Sequence, residues 1–175
     1  MRIPIYQIDA FSSQPFKGNP AAVCPLEEWL PDEVMQSIAM ENNLSETAFF
    51  VKNEDQYDIR WFAPKIEIDL AGHPTLATAH VIFNEMNHQG DSITFNSKIG
   101  DTLDITRNKD IISMNFPSRP PKKIYKKELI EEAIGVEVEE FYENRDGLAV
   151  VANEEIVINL SPSMDKISKM DYIGL

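Results

Sequence analysis

Glutamate and histidine are the side chains that most readily move protons near neutral pH, and two short stretches of this chain set one of each at a sharp change of backbone direction. In Asp69-Leu70-Ala71-Gly72-His73-Pro74-Thr75 a strand-like alternation ends at glycine and an apolar helix begins at once. The first N–H groups of a helix have no partners within it and carry the positive end of its dipole, so such a start holds a carboxylate or phosphate. Gly72 lacks a Cβ and lets a ligand approach the backbone. Pro74 suits a first turn, where its missing N–H costs nothing. His73 adds a titratable group beside the dipole, which disfavours the cation and keeps the imidazole neutral. The plainer reading is a tight turn with Thr75 as a helix-start residue.

The second stretch is Asn43-Leu44-Ser45-Glu46-Thr47-Ala48-Phe49. Glu46 falls where a helix ends and an apolar strand starts, held by rigid elements and partly out of water. Those surroundings are expected to raise the pKa of a carboxyl toward neutrality, the condition for one group to take a proton and give it back. A glutamate in a loop is by default a solvated surface group, so this assignment draws its weight from the rest of the chain.

The elements that must position these groups follow from hydrophobic periodicity. Ile3 to Phe11 reads as a strand, Gly18-Asn19-Pro20 as a turn, and Ala21–Cys24 as a second strand. A helix starts at Pro31-Asp32-Glu33, buries Val34, Met35, Ile38 and Ala39, and ends at Asn42-Asn43. Strands follow over Thr47–Val51 and from Tyr57 to Ala63, the latter stopped by Pro64, and Ile66, Ile68 and Leu70 alternate up to Gly72. After Pro74, the apolar Leu76, Ala77, Ala79, Val81, Ile82, Phe83 and Met86 are spread round the circumference. That predicts a central helix roughly 18 Å long, wrapped by strands. Ser92–Asn96, Asp101–Arg107 and Ile111–Phe116 supply more wrapping, the last two as a hairpin around Asn108-Lys109-Asp110.

Pro117-Ser118-Arg119-Pro120-Pro121-Lys122-Lys123 reads as a linker dividing the chain into 1–117 and 118–175. Beyond it the pattern predicts a short helix over Lys126–Ile134 ended by Gly135. A hairpin from Gly147–Val151 to Ile156–Leu160, a second short helix after Ser161-Pro162-Ser163, and the start of a strand over Asp171–Leu175 follow.

Composition excludes several classes. At 175 residues, 43% hydrophobic and 26% charged, the chain reads as an ordinary globular protein. A net charge of −13 argues against a general nucleic-acid binder. With no apolar run near the roughly 20 residues that span a bilayer and no signal-peptide core, a cytoplasmic protein without membrane contact is expected. The single cysteine, Cys24, fits a reducing compartment and reads as a buried, inert thiol. Glu85-Met86-Asn87-His88 has a di-iron helix spacing but lacks carboxylate partners, and His80 reads as a satisfied residue of the central helix, so no metal is expected. No phosphate-loop or dinucleotide glycine pattern occurs, and no nucleotide is expected.

The ordered motifs Asp9-Ala10-Phe11, Gly18-Asn19-Pro20-Ala21-Ala22-Val23, Asn43 to Phe49, Arg60-Trp61-Phe62-Ala63-Pro64 and Asp69 to His80 resemble those of the phenazine-biosynthesis PhzF isomerase/epimerase family. The resemblance implies an α+β, diaminopimelate epimerase-like fold, with antiparallel strands around a central helix in each of two halves and the active site between them. By this comparison the first half is complete here and the second, over Pro117–Leu175, truncated before its own central helix. Such a chain is expected to expose apolar surface and to be poorly soluble or partnered. The resemblance further implies a cofactor-independent isomerase acting on a small carboxylate-bearing substrate of aromatic or cyclic amino-acid type. Glu46 would be the acid/base and His73 a hydrogen-bonding catalytic partner, with Gly72, Pro74, Thr75, Asn19 and Ser45 contacting substrate; a homodimer is also implied. Relatives often carry cysteine before the Gly-His pair; Ala71 stands there in this chain, which disfavours a two-cysteine racemase. An amino-acid epimerase or racemase on the same fold, and a noncatalytic binding or assembly module, are the alternatives.

Overall fold

The computed structural model describes residues 2–172, which fall into two units, Met1–Pro117 and Ser118–Leu175. The first unit is a mixed sheet curled round a helix. Its elements are β1 (Tyr6–Ala10), β2 (Asn19–Leu26), α1 (Asp32–Asn42), β3 (Glu46–Asn53), β4 (Gln56–Phe62), β5 (Glu67–Ile68), α2 (Gly72–His80), β6 (Ser92–Ser97), β7 (Thr102–Asn108) and β8 (Ile111–Asn115). The strand order is β1-β2-β3-β4-β6-β7-β8, with β5 paired on β4. Most pairs are antiparallel, but β2 runs parallel to β3 through the α1 crossover and β4 parallel to β6 through α2.

Both faces of the central strands are buried, and the period-two alternation of a strand decides which residue meets which helix. Val23, Ala48, Phe50, Ile59 and Trp61 point inward to a core closed by Ala77, Ala79, Val81 and Ile82 of the central helix. Their neighbours Cys24, Phe49 and Phe62 point the other way, to Met35 and Ala39 of α1. Burial alone pushes the Cys24 thiol up to about 12, so it is inert as expected. Arg60 emerges on the α1 face, where its guanidinium bonds both oxygens of Glu67 at 2.7 and 2.8 Å and Asp32 of α1 at 2.9 Å. It also lies 5.4 Å over the Trp29 ring and 5.1 Å over Phe62, tying helix to sheet.

Helix α1 starts at Pro31 and ends on Asn43 in the left-handed region (φ 51°), whose N–H bonds Ala39 O at 3.1 Å, as the sequence predicts. The central helix differs in one respect from the uniform helix expected: α2 widens at Val81–Glu85 into a π turn. The wider turn lets the consecutive Val81, Ile82 and Phe83 all be buried.

The second unit is a small antiparallel sheet of β9 (Lys122–Ile124), β10 (Glu140–Glu143) and β11 (Gly147–Val150), with α3 (Glu128–Ile134), α4 (Glu154–Ile158) and α5 (Met164–Ile167). Ile130, Ile134, Val138 and Phe141 form its core. Gly135 in the left-handed region (φ 76°) stops α3 as expected. The expected 147–151/156–160 hairpin is corrected: β11 pairs with β10, and Glu154–Ile158 is helical because Asn153 Oδ1 accepts the Ile156 N–H at 3.0 Å. The proline-rich linker is also shorter than read, since Lys122–Ile124 joins β10 as an edge strand immediately after Pro121. Of the strand start expected over Asp171–Leu175, Asp171 and Tyr172 are not in a strand and 173–175 lie outside the described residues.

Candidate active site

Three element starts meet at one point. The parallel register pairs Ala21 with Glu46, so β2 and β3 begin side by side, and Asn19, Pro20, Ser45 and Glu46 lie at one sheet end. The N-terminus of α2 arrives over that end and delivers His73. Asn42, at the end of α1, donates to the buried Thr47 hydroxyl at 3.2 Å and fixes the short loop that carries Ser45 and Glu46.

His73 Nε2 stands 3.2 Å from Glu46 Oε2 and 3.2 Å from Ser45 Oγ, and the Ser45 hydroxyl reaches Asn19 Oδ1 at 3.4 Å. The His73 and Glu46 side chains are only 10% and 18% exposed, which removes most of the water that would screen their interaction. Glu46 Oε2 is itself buried and completes no hydrogen bond among the described residues, despite its closeness to the imidazole.

Burial is the main force on the imidazole and holds its pKa below the ordinary histidine value; the Glu46 charge and a hydrogen bond to the Pro20 backbone pull the other way. His73 is therefore biased to the neutral form, as the sequence predicts, with desolvation as the leading cause.

Gly72 is exposed, and a Cβ built on it would meet nothing within 4 Å, so the helix start opens onto free space. Ala71 is the residue before the first turn, and the N–H groups of Gly72 and His73 are those at the positive end of α2. Pro74 and Thr75 lie in the first turn of α2. Both are buried, and the Thr75 hydroxyl donates back to Ala71 O at 2.6 Å. That bond ties the first turn of α2 to the residue before it.

Asn19, Ser45, Glu46, His73 and Gly72 are thus brought together from the sequence reading. Pro20 was missed: it acts on His73 through its backbone, and no side-chain pattern announces such a contact. His80 and His88 lie elsewhere, against Asn84 and the Ser92 carbonyl. No group of three or more potential metal-ligating side chains is assembled among the described residues. Nor is any helix among them long and apolar enough to cross a membrane.

The fold is of the α+β, epimerase-like class. Residues 8–174 match the family described as phenazine biosynthesis-like protein (PhzC-PhzF), and the chain belongs to that family. It is 41% identical over 175 residues to an uncharacterized isomerase of Pseudomonas aeruginosa, covering all of this chain and 67% of that protein. The crystal structure of a PhzF-family protein from Enterococcus faecalis matches with a TM-score of 0.86 and 44% identity over 98% of this chain and 66% of that one. A predicted epimerase from Pseudomonas aeruginosa shares the fold at a TM-score of 0.70 and 18% identity, covering 98% of this chain and 68% of that one. The chain spans about two thirds of the length of these relatives.

Proposed function

We propose that this chain carries the acid/base pair of a cofactor-independent isomerase that moves a proton on a small, carboxylate-bearing substrate. The observation that carries the reading is the buried, uncommitted Glu46 Oε2 beside a His73 imidazole biased to neutrality. The substrate carboxylate docks at the open helix start by Gly72, on the N–H groups of Gly72 and His73. That anchoring turns an acidified C–H toward Glu46. Its carboxylate takes the proton, leaving the electron pair delocalised over the conjugated system, and the resulting carboxylic acid returns the proton at a different carbon. Atoms and charge balance within substrate and enzyme. The family's relatives named as isomerases support a reaction of this class.

The experiment is hydrogen exchange of substrate carbon-bound protons in deuterated water with the complete protein. Glu46→Gln is expected to abolish exchange while leaving the circular dichroism and melting temperature native. Exchange retained at the wild-type rate would sink the assignment of Glu46.

A further inference from the structure

We propose that the loop between β1 and β2, residues 11–18, is a lid of the site, held open with Phe11 and Phe16 as its pivots and closing over His73 and Glu46. The proposal rests on the reading of that pair as the place of reaction; the case for movement stands on the loop itself.

The loop leaves the sheet at Ala10 and returns at Asn19, the last pair of the β1–β2 ladder. Asn19 Oδ1 accepts from the Ser45 hydroxyl at 3.4 Å, and Ser45 Oγ lies 3.2 Å from His73 Nε2, so the base of the loop stands two short contacts from the imidazole. A loop of this length, tethered at both ends, reaches about 13 Å from its base, enough to cross the pair. Phe11 already borders a cavity of about 410 Å³ together with Leu76 and Ala77, which follow His73 by one turn of α2.

Phe11 and Phe16 both have a φ of 65°, in the left-handed region. For a bulky side chain that backbone is disfavoured by about tenfold against the ordinary one. The same two rings are 70% and 94% exposed. Glycine or asparagine would accept this turn without strain and would put no ring into water. Backbone strain and apolar exposure thus fall on the same two residues, and one movement relieves both: each φ returns to a negative value as its ring is covered. Between the pivots the chain is its own turn and moves as one piece. The Gln14 N–H donates to Ser12 Oγ at 3.0 Å, the Ser12 hydroxyl to Gln14 O at 3.1 Å, and the Lys17 N–H to Gln14 O at 3.3 Å. What holds the strained form is a latch: the Phe16 N–H donates to Asp9 Oδ2 on β1 at 2.7 Å.

The test is the rate at which diethyl pyrocarbonate modifies each histidine of the complete protein, read by mass spectrometry of its peptides. His73, with a side chain 10% exposed, lies beneath the closed lid; His88, against the Ser92 carbonyl, is the internal reference. Asp9→Ala removes the latch. A charge-assisted hydrogen bond weights an equilibrium by about tenfold or more, so a closed form held by roughly a few per cent of molecules becomes comparable with the open one. The His73 rate is then expected to fall about twofold at an unchanged His88 rate. Loosening of the loop without closure would instead speed the modification. Phe11→Asn and Phe16→Asn relieve the open form of its strain and remove the rings. Added to Asp9→Ala, they are expected to restore the wild-type His73 rate; each alone should raise the melting temperature by about 2–4 °C.

A His73 rate that is unchanged or faster in Asp9→Ala would overturn the proposal, as would asparagine variants that leave a slowed rate slow or that lower the melting temperature. So would a His73 rate that falls with rising protein concentration and ignores these variants, which would give the two rings to an interface between copies. Should Asp9→Ala not fold, Asp9→Asn, which weakens the latch and keeps its shape, takes its place. Modification of the imidazole needs no turnover, so failure of the Glu46 exchange test and failure of the lid are told apart.

Discussion

Gly18→Ala is expected to destabilise the protein and to disturb the site from outside it. A Cβ at Gly18 would lie 2.4 Å from Ala10 O, 2.9 Å from Asp9 C and 3.0 Å from Asp9 Cβ. The first two of these atoms are main chain, which cannot swing aside as a flexible side-chain end would. The β1–β2 ladder must open at its Ala10–Asn19 end, the last pair of its register. Forcing one carbon into a packed position costs about 1–3 kcal/mol, and the rigid neighbours place this case near about 2 kcal/mol. For a chain of this size that lowers the melting temperature by roughly 4–8 °C. Asn19 moves with the ladder, and its 3.4 Å contact with Ser45 leaves no slack. The assay is scanning calorimetry with urea unfolding, and Gly72→Ala serves as the control, because a Cβ there meets nothing within 4 Å and should leave the melting temperature alone. A Gly18→Ala protein that melts within about 1 °C of wild type would refute the steric reasoning.

Two further outcomes follow from the charged groups. Burial lowers the folded-state pKa of His73, so the unfolded chain binds the proton more readily, and stability is lost as pH falls from above the ordinary value of about 6.5 toward the folded one. His73→Gln should flatten that part of a urea-unfolding pH profile; an unchanged slope between about pH 7 and pH 5 would refute it. Arg60, by its hydrogen bonds, holds the Glu67 carboxyl below its ordinary range, so the pair stabilises above that range and the contribution disappears as pH falls through the lowered folded value. With Glu67 25% exposed, Arg60→Gln is expected to cost about 1.5 kcal/mol at neutral pH and less in acid, and an equal loss at both would count against the assignment.

How far the fold was legible varied with how local its causes are. The α1 boundaries follow from Pro31 and Asn43, and both act within one turn. The central helix was legible because its apolar residues surround it, but the π turn was not: an added residue per turn depends on the packing of Val81, Ile82 and Phe83 against the sheet. In the second unit the expected hairpin would turn between 151 and 156, and Asn153, which falls there, is a helix cap; asparagine serves both roles chemically. Phe141 and its strand went unread, since Phe-Tyr flanked by glutamates gives little alternation to detect. At the site, Glu46 and His73 were legible as reactive types beside element boundaries. Their 3.2 Å approach depends on the parallel register of β2 and β3, which pattern alone does not set.

Both tryptophans of the chain, Trp29 and Trp61, lie in the first unit, and the second contains none. Trp61 is sealed in the inner core at 1% exposure, and Trp29 packs against the outer cluster beneath the Arg60 guanidinium. Indole fluorescence therefore watches one unit alone, with one emitter on each face of its sheet. Recorded alongside far-ultraviolet dichroism, which sees every helix and strand, it separates the melting of the two units in a single unlabelled sample. Coincident traces would mean one cooperative body, and a dichroism transition without a matching change in emission would belong to residues 118–172.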